Sequence, residues 1–411
     1  MNILITGAQF ENKGAQSMLF NVVSELRDRY PNAIFYYVPL DFFSKDCFAN
    51  CNDYRFHFVF DDVAVYDYPV KYGGLINVKR WAENTIVKTR IVKNRYPVAY
   101  LSAIWDRIDV MIDISGYSLT SKFGLGSVNR MIRHIESAKK RNIKVILLPQ
   151  SFGPFDFSEN TEKVCARIHS ALSTVDLLFA REEDGVVQLQ EHCGVTKAVL
   201  SPDIVLQAKD IHWSNVFVSE PNRQHLGLKT NKNVGIVPNS ETVRNGNHDV
   251  ILTVYRLLLR ELRKNGKEIY IFRHSDDLPL CREIFALVKD DEHCHLIEDE
   301  IDCLSYGPFV RQFDFIVASR FHSVVHAYRE GVPALVLGWA KKYQELAALM
   351  GQEMYVSDIT TNQINSDELI EQLNRMISRS SEESEEILSN LSVIQEKSCF
   401  DMCSGLLDSF V

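Results

Sequence analysis

Residues 317–327 read Val317-Ala318-Ser319-Arg320-Phe321-His322-Ser323-Val324-Val325-His326-Ala327. The apolar run from Phe313 to Ala318 predicts a buried strand, and a helical stretch that ends near Gly331 follows it. Arg320 and His322 are therefore expected at the carboxyl end of a strand, beside a helix N-terminus. Open α/β sheets bind their ligands at this position, and the backbone N–H groups there favour an anion. The stretch predicts an anion-binding active site.

The alternation of strand and helix continues along the chain in both directions. Strands are predicted at 2–7, 33–38, 109–113, 144–148, 176–180, 198–200, 233–238, 268–272, 295–297 and 333–337, with helical patterns between most of them. This βαβα order is typical of parallel sheets. The predicted fold class is α/β, with two Rossmann-like domains facing a cleft.

The domain boundaries are predicted from where this alternation stops. The predicted parts are an N-terminal Rossmann-like domain at 1–206, a polar linker at 207–232, a C-terminal Rossmann-like domain at 233–380 and a helical segment at 381–411.

Composition narrows the class of protein. The chain has 411 residues, 46% of them hydrophobic, and a net charge of -9, so we expect a globular protein that does not coat nucleic acid. Its nine cysteines are scattered without a convincing zinc-ligand spacing, which favours reduced thiols and no metal site. Because the first residues predict a strand and no stretch approaches the roughly 20 apolar residues of a membrane span, a cytoplasmic location is expected.

The basic stretch at 71–96 has two interpretations. The favoured one is a solvated helix face. The other is peripheral contact with an anionic membrane surface, at the inner face of the membrane, or with a lipid-linked substrate.

Several predicted strands of the first half end in polar or glycine-bearing loops. The candidate binding residues there are Asn12, Lys13, Gly14, Ser115, Gly116, Gln150, Ser151 and Arg181. Neither a dinucleotide fingerprint nor a Walker loop is present. Tight turns explain the loops equally well, and a structural ion pair explains Arg181 beside Glu182 equally well.

The second half offers His274, Ser323 and Lys342 as further candidates near Arg320 and His322. Their structural alternatives are a carboxylate partner for Arg320, a helix-start hydrogen bond for His322, a loop hydrogen bond for His274 and a strand cap for Lys342. His326 is expected to be structural. The H-x-x-x-H pattern of the two histidines lacks the glutamate of a zinc protease.

Taken in order, these motifs resemble those of the polysaccharide pyruvyl transferases. The resemblance rests on Asn12–Gln16, Asp113–Gly116, Pro149–Pro154, Ala180–Glu182, Ser201–Asp203, the loop around His274, Ser319–Ser323, Gly331–Pro333 and Lys342-Tyr343. The Arg-Phe-His element followed by Gly-Val-Pro is its most specific part. The chain departs from the family pattern after Asp113, where a glycine-rich turn is reduced to Ser115-Gly116-Tyr117.

The resemblance implies a GT-B-like fold and transfer of a pyruvyl group from phosphoenolpyruvate to two hydroxyls of one sugar, without a metal or nucleotide cofactor. The acceptor implied is a capsule or exopolysaccharide precursor, lipid-linked or free. On this reading Arg320 clamps the donor, His322 supplies a proton, and Arg181 assists from the other domain. The N-terminal domain is expected to bind the acceptor and the C-terminal domain the donor.

Two other functions stay open on the sequence. One is a glycosyltransferase that uses a nucleotide sugar, and the other is a glycan-binding protein without catalysis. The sequence identifies neither the acceptor sugar nor the oligomeric state.

Overall fold

The computed structural model describes residues 1–10, 12–40, 51–63, 99–224, 226–228, 232–361 and 364–411. The basic stretch at 71–96 lies outside these ranges. The described chain forms two compact units. The first comprises Met1–Ile204, Asp210–Pro221 and Ser398–Val411, and the second comprises Val205–Lys209 and Asn222–Lys397.

Each unit is built around one parallel sheet. The first sheet contains β1 (Asn2–Thr6), β2 (Ile34–Val38), β3 (His57–Phe60), β4 (Ala99–Tyr100), β5 (Val110–Asp113), β6 (Lys144–Gln150), β7 (Leu177–Ala180) and β8 (Val199–Leu200). The second contains β9 (Asn233–Val237), β10 (Glu268–Phe272), β11 (Cys294–Ile297), β12 (Phe315–Ala318), β13 (Ala334–Leu337) and β14 (Val356–Ser357). The strand orders are β4-β3-β2-β1-β5-β6-β7-β8 and β11-β10-β9-β12-β13-β14.

Helices connect most of these strands. In chain order they are α1 (Lys13–Arg29), α2 (Leu101–Ile104), α3 (Gly124–Lys139), α4 (Thr161–Ser173), α5 (Glu183–Cys193), α6 (Ile204–Gln207), α7 (Trp213–Val216), α8 (Ser240–Asn245), α9 (His248–Lys264), α10 (Leu278–Ala286), α11 (Cys303–Val310), α12 (Phe321–Arg329), α13 (Lys341–Ala348), α14 (Ser366–Glu396) and α15 (Cys399–Leu407). The predicted fold class of two parallel-sheet α/β domains is confirmed.

The central strands are apolar because both of their faces are covered. All five residues of β9 and all four of β12 are buried. Ile316 of β12 pairs in register with Gly235 of β9, and Ile271 of β10 pairs with Ile236 of β9 from the other side. The loops that follow these three parallel strands therefore meet at one edge of the sheet.

The predicted C-terminal boundary is wrong. Residue 380 falls inside α14, which runs without interruption from Ser366 to Glu396. The chain after α14 returns to the first unit, where the Tyr30 hydroxyl donates to Asp408 at 2.7 Å and Arg29 donates to Asp401 at 2.8 Å. The predicted linker is also divided, because Asp210–Pro221 belongs to the first unit.

Among the described residues, no helix combines the length and the apolar character needed to cross a membrane.

Gly235, in the central strand β9 of the second sheet, allows the packing of that sheet to be tested. A Cβ at this position would lie 2.9 Å from the Phe272 ring and 3.0 Å from Ile316. We expect Gly235→Ala to lower the free energy of unfolding by about 1–3 kcal/mol through overpacking. Urea unfolding followed by circular dichroism measures this loss.

The matched control is Gly126→Ala in α3, where an added Cβ meets no atom within 4 Å. This variant should keep or slightly raise the stability, because alanine favours helix. Equal unfolding midpoints for the two variants would contradict the packing described for Gly235.

Candidate functional site

Loops from four neighbouring strands form the candidate site of the second unit. They carry Asn239 after β9, Asp277 after β10 and Arg320 after β12, and Lys342 is the second residue of α13, which follows β13. Sheet order places these strands side by side, although their loops are far apart in the sequence.

Arg320 is held by a buried carboxylate. Its Nε and Nη2 donate to Oδ2 and Oδ1 of Asp277, each at 2.7 Å. The Asp277 side chain is 0% exposed, whereas that of Arg320 is 26% exposed. Burial lowers the pKa of Arg320, but the paired carboxylate outweighs this effect and the net pKa shift is upward. The guanidinium therefore stays charged, fixed by one edge and partly open to solvent.

The end of β12 is fixed by further hydrogen bonds. The Ser319 carbonyl accepts from Asn239 Nδ2 at 3.0 Å and from the Tyr343 hydroxyl at 2.9 Å. The Ser319 hydroxyl lies 3.1 Å from that of Tyr255, and the Ser323 hydroxyl donates to the Arg320 carbonyl at 2.6 Å. Ser323 is thus engaged in shaping the turn on which Arg320 and His322 lie.

His322 is the second residue of α12 and is partly exposed. Its ring lies 5.6 Å from that of Phe321, centroid to centroid, and the Lys342 amine lies 5.1 Å from the Phe321 centroid. Arg320, the N-cap of α12, makes no side-chain capping bond. Predicted site residues Arg320, His322 and Lys342 are therefore gathered around one helix N-terminus.

His274 occupies a different environment from these residues. It is 3% exposed, and its ring lies 5.0 Å from that of Tyr306 and 6.0 Å from that of His326. The structure places the predicted binding residue His274 in a buried aromatic cluster, together with His326, whose structural role was expected.

In the first unit, the loops after β1 and β5 approach each other closely. Asp113 accepts from the Thr6 hydroxyl at 2.8 Å and from the Ser115 N–H at 3.0 Å, and burial raises its pKa. Gly7 has φ +93°, and a Cβ there would lie 2.6 Å from the Ser115 nitrogen. The loop that carries Ser115 and Gly116 is thus fixed against β1.

The loop at the start of α1 is used for capping. Asn12 accepts from the N–H groups of Gly14 and Ala15 at 3.0 and 3.2 Å, and Lys13 and Gly14 are buried in the first helical turn. Gln150 is also fully buried. The tight-turn interpretation of Asn12 therefore describes its local contacts.

Arg181 forms structural ion pairs, which were the alternative interpretation of this residue. Its Nε donates to Ser151 Oγ at 2.9 Å and to Glu182 Oε1 at 3.3 Å, and its Nη1 donates to Asp203 at 3.0 Å. Ser151 in turn donates to Glu182 at 2.5 Å. The Arg181 side chain is 3% exposed, so its contacts are those of a buried network. Its predicted role toward the donor stays a prediction.

Sequence reasoning missed Asp277 and Asn239, and it gave Tyr343 no role although the Lys342-Tyr343 pair is part of the family resemblance. The available signal was their position, because Asp277 and Asn239 each lie in a polar loop directly after a predicted strand. Within the described ranges, no three or more histidine, cysteine or carboxylate side chains lie together so that they could hold a metal ion.

Comparisons with known proteins agree with this architecture. A family model described as polysaccharide pyruvyl transferase matches residues 12–341. A comparison with curated proteins gives no match.

Solved structures that resemble the chain include two UDP-GlcNAc 2-epimerases. The one from Methanocaldococcus jannaschii has a TM-score of 0.53 and 14% identity, covering 92% of this chain and 93% of that chain. The one from Neisseria meningitidis, bound to UDP-GlcNAc, has a TM-score of 0.52 and 12% identity, covering 94% of both. OtsA in its apo form has a TM-score of 0.52 and 10% identity, covering 99% of both. At these identities the likeness shows the fold, and the predicted GT-B-like class is confirmed.

Removing Arg181 tests its place in the buried network. Arg181→Ala leaves the carboxylates of Glu182 and Asp203 without this partner, and we expect a loss of about 3–5 kcal/mol in the free energy of unfolding. Arg244→Ala is the control, because the Arg244 side chain is 72% exposed and pairs with Glu241 at the surface. That variant should lose at most about 1 kcal/mol. Denaturant unfolding measures both free energies. Equal and small losses of the free energy of unfolding in the two variants would contradict a structural role for Arg181.

Proposed function

The chain belongs to the polysaccharide pyruvyl transferase family, and we propose that it moves a pyruvyl group from phosphoenolpyruvate to a sugar of a surface-polysaccharide precursor. The product is a cyclic ketal that joins two hydroxyls of one sugar. The single observation that carries this proposal is the gathering of Arg320, His322 and Lys342 around the N-terminus of α12.

Phosphoenolpyruvate suits this place because it carries a phosphate and a carboxylate. The net charge of the chain is -9, so the donor needs cations at its own site. Guanidinium groups bind either anionic group through two parallel hydrogen bonds. A helix N-terminus and a lysine amine add favourable charge for the second group. The second unit is accordingly the proposed donor side, and the first unit is the proposed acceptor side.

The chemistry begins with proton transfer. Histidine is the side chain that most readily exchanges a proton near neutral pH. In the proposed reaction His322 donates a proton to the methylene carbon of the donor, which makes C2 cationic. One sugar hydroxyl forms a bond to C2 and gives its proton to the His322 that donated one. The C2–O bond to phosphate then breaks, and the phosphate leaves with the bonding electron pair. The second hydroxyl closes the ring at C2, and the departing phosphate takes its proton.

The acceptor would bind through neutral polar groups. The fixed loop that carries Ser115 and Gly116 is the proposed contact for sugar hydroxyls, since Ser115 is partly exposed at the carboxyl edge of the first sheet. The buried Arg181 network, which includes Ser151, supports the neighbouring loops. The proposal needs no metal or nucleotide cofactor.

A direct assay tests the proposal. Purified protein is incubated with phosphoenolpyruvate and a panel of lipid-linked and free glycan precursors, and phosphate release is followed together with an acid-labile mass gain on the glycan. Equal amounts of phosphate and ketal are expected. Folded protein that forms no ketal with any precursor of the panel would overturn the proposal.

Thermal unfolding with added ligands separates this function from the glycosyltransferase alternative. Phosphoenolpyruvate should raise the unfolding temperature, because a ligand that binds only the folded state stabilises it. Protection by a nucleotide sugar without protection by phosphoenolpyruvate would favour the glycosyltransferase instead.

The proton donor is tested by His322→Gln, which keeps the side-chain size and removes the titrating group. We expect kcat to fall by about 10²–10⁴-fold with the circular dichroism spectrum unchanged. His248→Gln is the control, since the His248 side chain is 46% exposed and pairs with Glu283 at the surface. If the wild type is active, equal turnover of His322→Gln and the control would exclude His322 as the proton donor. A folded wild type that has no activity would favour a glycan-binding protein.

A further inference from the structure

Asp277 is the group on which the geometry of Arg320 depends. A guanidinium has five N–H donors in one plane. Asp277 takes one from Nε and one from Nη2. Three donors then remain, two on Nη1 and one on Nη2. One N–H of Nη1 and the remaining N–H of Nη2 point in parallel and form a second edge of the same plane. That edge can bind a carboxylate or a phosphate while the first edge stays on Asp277.

The exposures of the two partners fit this division. The carboxylate of Asp277 is 0% exposed and the Arg320 side chain is 26% exposed. A ligand can therefore reach the arginine but not the carboxylate. Asp277 fixes the guanidinium along one edge of its plane, and the other edge stays available to a ligand.

Asp277 is itself fixed by the backbone. Its Oδ1 accepts from the Ser240 N–H at 2.9 Å, at the start of α8. One carboxylate thus joins the loop after β9, its own loop after β10 and the loop after β12. These strands lie in the order β10-β9-β12, so the bond spans the middle of the sheet edge.

From these contacts we infer that Asp277 is a positioning residue for donor binding, acting through Arg320. The inference rests on the proposed function, because phosphoenolpyruvate is the ligand that it positions. Asp277 also balances the charge of Arg320, so the positive charge that attracts the donor must come in part from Lys342 and from the N-terminus of α12. The main contribution of Arg320 is then a directed pair of hydrogen bonds.

Asp277→Asn is the primary test. Asparagine keeps the shape of the side chain and one acceptor oxygen. Its NH2 group replaces the other oxygen and faces an N–H donor of Arg320, so one of the two hydrogen bonds is lost. Because small misplacements of a binding group are costly, we expect the Kd of phosphoenolpyruvate to rise about 10- to 100-fold, with KM rising more than kcat falls. Asp276→Asn is the matched control, since it makes the same change one residue earlier at an exposed position. It should leave Kd, KM and kcat at their wild-type values.

A double-mutant cycle shows whether Asp277 acts through Arg320. Arg320→Lys keeps the positive charge and loses the planar fork, so it should weaken phosphoenolpyruvate binding to a similar degree. In the Arg320→Lys background, Asp277→Asn should add less than about a threefold loss. Circular dichroism and thermal unfolding identify any variant that fails to fold, and in that event Asp277→Glu, which keeps the charge but moves the carboxylate, replaces Asp277→Asn.

The outcomes separate the inference from the proposed function. Tight phosphoenolpyruvate binding that Asp277→Asn leaves unchanged would overturn the positioning role and leave the function intact. The positioning role would also be overturned if the double variant lost phosphoenolpyruvate affinity by the product of the two single-variant factors, because Asp277 would then act independently of Arg320. A wild-type protein that binds no phosphoenolpyruvate in calorimetry would overturn the proposed function, and the inference with it.

Discussion

Parallel pairing of the strands is the constraint on which the rest of the structure depends. All strand pairs of the two sheets are parallel in the described ranges. Every strand of a sheet therefore ends at the same edge, and polar loops separated by tens of residues meet there. In the second unit this brings Asn239, Asp277 and Arg320 together. Apolar residues along β9 and β12 are buried from both faces, and this burial keeps the strands in register beneath those loops.

The two sheet edges treat arginine in different ways. Arg181 lies between the carboxylates of Glu182 and Asp203 and is 3% exposed, so its charge is used to stabilise the loops of the first unit. Arg320 meets one carboxylate along one edge of its plane and stays partly exposed. Arg181 follows β7 directly, and Arg320 follows β12 after one intervening residue, Ser319. The two arginines thus differ in the number and placement of their carboxylate partners and in their exposure.

Much of this could be predicted from sequence, because strand–helix alternation and the polar residues after each strand are local signals. The strand before Arg320 and the helix after it occur where the pattern placed them, at Phe315–Ala318 and Phe321–Arg329. A carboxylate partner for Arg320 was a stated alternative, but its identity depends on which strands are neighbours, and sheet order is not a local property. The same reason explains the error at the C-terminus, since the pattern of α15 predicts a helix without indicating that its Asp401 accepts a hydrogen bond from Arg29 of the first unit.

The central claim is that Arg320 binds the donor with one edge while Asp277 holds the other. A crystal structure with phosphoenolpyruvate bound tests it most directly. We predict donor oxygens at about 2.7–3.2 Å from Nη1 and Nη2 of Arg320, the methylene carbon facing His322, and both bonds to Asp277 retained. Phosphoenolpyruvate bound away from Arg320, or an Arg320 that leaves Asp277 to reach it, would contradict the account.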